Sequence, residues 1–102
     1  MTATDFEFYT NKYYGNVIPF SLYNKYELKA RTSVDKLSLK RITKMDDNVK
    51  KCVCAVADYL YEKNTDEISD MEIIDIMFQF LDINLVTRAI WNIKYKWIIH
   101  LK

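Results

Sequence analysis

DDNVKKCVCAVADYLYEKN, residues Asp46 to Asn64, is the stretch whose reading decides the fold class. Val49, Val53, Val56 and Leu60 are spaced 4, 3 and 4, the repeat that lines side chains along one face of an α-helix. Cys52, Ala57 and Tyr59 widen that stripe into a broad face for burial. Asp46 and Asp47 precede it, and either can cap a helix by accepting from its free N–H groups; Asn64 is a suitable stop. The pattern predicts a helix over 47–63. Its small residues Cys52, Cys54, Ala55 and Ala57 let a second helix approach closely.

Upstream, Tyr23, Tyr26, Ala30, Val34 and Leu37 are spaced 3, 4, 4 and 3, predicting a helix over 19–37. Pro19 suits its first turn, where a missing N–H costs nothing. Lys25, Glu27, Lys29 and Arg31 form the polar side, left to water or a partner. Pro19 is the only proline, and Gly15, four residues earlier, the only glycine. Gly15 is expected to permit a turn between an aromatic N-terminal arm, residues 1–18, and the helical body.

Downstream of Thr65 the pattern changes. Ser69 or Asp70 can cap a third helix with a stripe of Ile73, Met77 and Phe80 or Leu81, although Ile74, Ile76, Phe78 and Ile83 make it apolar nearly all round. From Trp91 the apolar residues alternate strictly through Ile93, Tyr95, Trp97, Ile99 and Leu101, which reads as a strand needing an edge to pair with.

A chain of 102 residues supports one modest core. Half of it is hydrophobic and 15% aromatic, more than a disordered chain carries. The formal charge of +1 argues against a dedicated nucleic-acid binder. Residues 1–64 hold 11 basic and 8 acidic side chains, and residues 65–102 hold 4 and 6, neither imbalance large enough to name a partner. No basic region followed by an apolar run marks a leader. The apolar region from Ile73 to Ile99 is interrupted by Asp75, Asp82, Arg88, Lys94 and Lys96, so no membrane span is expected, and the chain is expected to originate in the cytoplasm.

Chemistry is sparsely signalled. Cys52 and Cys54 point about 200° apart on a helix, so neither a disulfide nor a shared metal is expected, and both read as buried apolar residues in a reducing compartment. His100 is the one histidine and has no orienting partner or nucleophile in view. A single glycine excludes phosphate-cradling loops. The pairs Asp46–Asp47 and Asp66–Glu67 suit helix starts better than acid–base work. No enzyme, cofactor or metal site is expected, and no constellation supports a small toxin or hydrolase. Lys36, Lys40, Arg41, Lys44, Lys50 and Lys51 gather around the link between the two predicted helices, a surface for DNA or an acidic partner. Tyr9, Tyr13 and Tyr14 are candidate interface anchors, since tyrosine gives large contact area at low entropic cost.

Four blocks taken in order carry a resemblance: FEFYTNKYYGNVIP at 6–19, Tyr23–Asn24–Lys25–Tyr26, ARTSVDKLSLKRI at 30–42, and DDNVKKCVCAVADYLYEKN at 46–64. In order and spacing, residues 5–64 resemble the small head-tail connector proteins that tailed bacteriophages of low-GC Gram-positive hosts place between capsid portal and tail. The resemblance implies a mainly α, small helical bundle with a connector core at 19–64. It also implies a homo-oligomeric ring that docks on the portal protein, meets a downstream head-tail joining or tail protein, and lets double-stranded DNA pass without sequence-specific binding. Its place is the virion, after assembly in the bacterial host cytoplasm.

Residues 65–102 depart from the family, whose members usually continue through a serine-rich, glycine-containing segment to a final helix and a short glycine-bearing tail. Back-translated with AT-rich codons and read from the third codon position, MEIIDIMFQF at 71–80 gives a glycine- and tyrosine-bearing segment of that kind. An out-of-frame reading of a connector gene from about 66–70 onward is one explanation. An authentic divergent C-terminus of helix plus edge strand is the other. The reading from a different functional class is a small helical DNA-binding regulator using the basic surface at 36–51.

Overall fold

Asp46 caps the helix that the 46–64 stretch predicts. Its Oδ1 accepts from the Val49 N–H at 2.9 Å, and α3 runs Asp47–Lys63. The computed structural model describes residues 1–63, 68–82, 84 and 86. Cys52, Val53, Cys54, Val56 and Ala57 are fully buried, so α3 is the central helix against which the others pack.

The upstream helix, α2, is Phe20–Leu37, with Pro19 at its N-cap, one place ahead of the expected first turn. It packs antiparallel to α3, and the ring of Tyr26 meets that of Tyr61 edge-on at 5.3 Å. Its buried line is Tyr23, Glu27, Ala30, Val34 and Leu37. Glu27 therefore does not belong to the water-facing side where its charge placed it, whereas Tyr26 is only half-buried.

The third predicted helix forms as α4, Asp70–Phe80. Ser69 caps it, its hydroxyl accepting from the Glu72 N–H at 3.3 Å. Ile73, Ile74 and Met77 bury against α3 and α2, while Met71 and Phe78 remain 42% exposed. Among the described residues the architecture is helical throughout. The stop at Asn64, the Asp66–Glu67 pair, and the alternating segment with Trp91, Trp97 and His100 lie outside the described residues.

The N-terminal arm packs on the helical body. Residues Phe6–Asn11 form a short helix, α1, capped by Asp5, whose Oδ1 accepts from the Phe8 N–H at 2.8 Å. Phe8, Tyr9 and Ile18 enter the same core as α2 and α3. Six residues are too few to hold a helix alone, so packing of the aromatic rings stabilises α1, and no periodicity could announce it.

The expected role of Gly15 also changes. Tyr14 is the residue with a left-handed backbone, φ 63°. Gly15 instead closes the turn by donating its N–H to the Tyr9 carbonyl at 2.7 Å, with the Tyr9 ring against its α-carbon.

The link between α2 and α3 ends α2 in a double-bonded C-terminal turn. The Lys40 N–H donates to the Asp35 carbonyl at 2.9 Å and the Leu39 N–H to the Lys36 carbonyl at 3.1 Å. That motif calls for a left-handed residue, normally glycine, yet Leu39 and Lys40 occupy it at φ 57° and 58°. Leu39→Gly is expected to stabilise the fold by about 0.5–1 kcal/mol, measured by thermal unfolding. Destabilisation would refute the strain argument.

Candidate functional site

The nine candidate residues separate into three environments. Tyr9 is fully buried and is a core residue rather than a surface anchor. Its hydroxyl donates to Asp58 Oδ1 at 2.6 Å and accepts from the N–H groups of Val17 at 3.0 Å and Ile18 at 2.9 Å. This pins the turn after α1 onto α3. Tyr13 is half-buried and stacks on Tyr9 at 5.9 Å. Tyr14 is 81% exposed.

The basic cluster is also divided. Lys36, Lys40, Arg41 and Lys44 are exposed at the end of α2 and on the connector, and among the described residues none of the four forms an ion pair. Lys50 and Lys51, on the first turns of α3, are half-buried, and Lys50 Nζ lies 5.4 Å from the centre of the Phe8 ring. Lys50 thus belongs partly to the packing of α1 on α3.

Phe20 was not anticipated as a surface residue, yet it is 74% exposed, its ring edge-on to Phe6 at 5.1 Å. The available signal was its place off the buried stripe of α2. Tyr14, on the turn between α1 and α2, is likewise exposed.

The N-terminal part of the fold encloses a buried polar and aromatic cluster. The Tyr23 hydroxyl donates to the Thr4 carbonyl at 2.7 Å, and the Tyr23 ring packs 5.0 Å from that of Tyr9. Burial pushes the Tyr9 phenol from 10.0 up to about 12, helped by the Asp58 carboxylate. Burial likewise raises Tyr13 to about 12, with Asp58 again contributing. Burial also raises the Asp58 carboxyl, outweighing the lowering effect of the Tyr9 hydrogen bond.

The thiols of Cys52 and Cys54 are free and buried, and burial raises each from 9.0 to about 12. Thiols so placed are neutral and shielded rather than nucleophilic.

These shifts have one sign. The unfolded chain loses the thiol protons near pH 9 and the phenol protons near pH 10, whereas the folded chain holds them to about pH 12. Their stabilisation is complete below pH 9 and declines as pH rises through 12. Alkaline titration is expected to give helix loss concurrent with tyrosinate and thiolate formation. The measurement is circular dichroism alongside ultraviolet absorbance. Full ionisation of these groups on an intact helical fold at pH 10 would contradict their burial.

Among the described residues no group of three His, Cys, Asp or Glu side chains is placed to hold a metal ion, and no helix is long and apolar enough to cross a membrane. A cleft of about 300 Å³ between α1 and the start of α3 is lined by Asp5, Glu7, Lys12, Asp47 and Lys50 among others. Asp5 is already engaged in capping α1, and the lining mixes acidic with basic side chains. Comparison with protein-family models, curated proteins and solved structures finds no match. The exposed features open to recognition include Tyr14 and Phe20, the apolar side chains Leu39, Met71 and Phe78, and the charged groups around them, the four cations among these.

Proposed function

We propose that this chain is a structural virion-assembly protein: a subunit of a ring that joins the capsid portal to the tail in a tailed bacteriophage or prophage. The observation that carries this reading is that the four blocks resembling head-tail connectors all contribute to one packed unit. The first supplies α1 and the Tyr9–Gly15 turn, the second and third supply α2 and its connector, and the last supplies α3. A small helical bundle of connector type would present Tyr14 and Phe20 to a partner and let double-stranded DNA pass without gripping it, in keeping with its net charge of +1. The Ser69 cap, the buried stripe and the docking of α4 on α2 and α3 support the in-frame alternative for residues 68–82, because a chance frame has no reason to satisfy all three together.

Mixing the chain with purified portal is expected to give a ring-shaped complex by electron microscopy. A protein that ignores portal and stays monomeric would overturn the reading. Sequencing the gene tests the frame: an alternative frame encoding the family's glycine segment without early stops would move α4 out of the functional unit.

The four exposed cations favour one second reading, a DNA-binding regulator. It predicts duplex affinity that falls with salt, with a log–log slope of about −3.6 if all four contact phosphates. Salt-insensitive or undetectable duplex binding would remove it.

A further inference from the structure

We propose that the α2–α3 connector of one copy docks on the outer face of α4 of a second copy, so that the chain self-associates head to tail. This rests on the ring-subunit reading above, and it names the two faces that meet.

The two surfaces are opposite in charge and alike in apolar content. From Lys36 to Lys44 every charge is positive, and from Ile68 to Asp82 every charge is negative. Met71, Asp75 and Phe78 follow at spacings of 4 and 3 along the outward side of α4, flanked by the exposed Asp70 and Glu72. Met71 and Phe78 are each 42% exposed, and Leu39, in the middle of the cationic connector, is 46% exposed. An apolar knob ringed by cations thus faces an apolar stripe ringed by carboxylates, the complementarity that steers and orients association.

Within one molecule only the far end of α4 approaches the connector, Phe80, Leu81 and Asp82 bordering a cleft with Asp46, Asn48 and Val49, whereas the first turns, with Met71, Glu72 and Asp75, lie at the other end of α3. The Tyr59 phenol, near the end of α3, lies beside Glu72 and Asp75, whereas the connector leads into the opposite end of α3 at Asp47. Tyr59 lies twelve helical steps after Asp47, about 18 Å at 1.5 Å per residue. The connector therefore cannot fold back onto the first turns of its own α4, and a second copy can. Because each copy uses two different faces, the contact is heterologous, the type that builds a ring where the rotation between copies closes and an open filament where it does not.

Leu39 supplies an independent argument. It holds a left-handed backbone that glycine would occupy without strain, and a side chain kept in such a place points to a role outside the stability of its own subunit.

The test uses sedimentation of the whole chain at low salt, with circular dichroism to confirm folding. Wild type is expected to associate and to dissociate at about 1 M salt, where the screening length is about 3 Å. Lys40→Glu with Arg41→Glu, and separately Glu72→Lys with Asp75→Lys, are each expected to weaken association by about tenfold or more. An equimolar mixture of the two double variants should recover it, since each then meets a complementary partner. Leu39→Gly should raise the melting temperature of the subunit yet weaken association roughly tenfold.

A wild-type chain that remains monomeric at low salt, charge variants that associate like wild type, or a mixture that fails to recover would each overturn the proposal. Rings formed on portal by the charge-reversed variants would sink this assignment while leaving the connector reading intact. Self-association with these signatures but no affinity for portal would do the reverse.

Discussion

Gly15→Ala is expected to destabilise the fold by about 3 kcal/mol, because it overpacks a core position and threatens the hydrogen bonds of the side chain it meets. A methyl group on this α-carbon would overlap Cε1 and Cζ of Tyr9 and lie 2.7 Å from Cδ1. The ring cannot retreat, being fully buried, with its hydroxyl fixed by Asp58, Val17 and Ile18. The adjoining rings of Phe6, Tyr13 and Tyr23 close the remaining sides. In thermal unfolding the melting temperature should fall by roughly 12–24 °C, taking about 4–8 °C per kcal/mol for a domain of this size. Tyr14→Gly, one residue earlier, relieves a left-handed residue and should leave stability unchanged or raised. Tyr9→Leu should make Gly15→Ala much less costly in its background, a non-additivity that reports direct contact. Tolerance of alanine within experimental error in the native background would show that Gly15 is not placed for the Tyr9 ring.

Glu27→Ala is expected to cost about 2–4 kcal/mol, the range for removing one member of a buried charged network, lowered because its partner is partly solvated. The Glu27 residue is only 3% exposed. Its Oε2 accepts from the Thr4 N–H and from Arg31 Nε, each at 3.0 Å, and its Oε1 accepts from Arg31 Nη2 at 3.3 Å. The guanidinium reaches onward through Nη1 to the Met1 carbonyl at 3.2 Å. One carboxylate thereby ties residues 1–4 to the middle of α2. Loss of hydrogen-exchange protection at Thr4 should accompany the lower melting temperature. Glu27→Gln, which keeps an acceptor for the Thr4 N–H but loses the ion pair, should fall between wild type and Glu27→Ala. An unchanged Thr4 exchange rate in Glu27→Ala would refute the tie.

Comparison of the two positions shows what a sequence pattern carries. The stripes of α2 and α3 were legible because 3.6-residue periodicity is a local property, and the caps of α3 and α4 were legible to within one residue, Asp46 or Asp47 and Ser69 or Asp70, because capping uses side chains within one turn of the helix start. Glu27 was misplaced on the polar side because its burial depends on partners 23 residues away at Thr4 and four residues on at Arg31. Tyr9 reads as a surface anchor in the sequence because its seat is made by Asp58, 49 residues later. Lys50 looked equivalent to Lys40 in a list of charges, and only the packing of Phe8 over α3 distinguishes them. The exposed part of the candidate surface, Lys36 to Lys44, was legible because nothing needed to cover it.

By itself the sequence determined a mainly helical domain, the extents of its two long helices, the capping of α3 and α4, and the burial of both cysteines. These follow from short-range periodicity and from hydrogen bonds that a helix end must find close by. Only the tertiary structure decided that Phe8, Tyr9 and Ile18 of the N-terminal segment join the core, that a carboxylate lies inside it, and that Gly15 serves the Tyr9 ring rather than its own backbone. Each of those outcomes is fixed by groups distant in sequence and adjacent in space, where exclusion of water makes a satisfied hydrogen bond or a filled volume decisive.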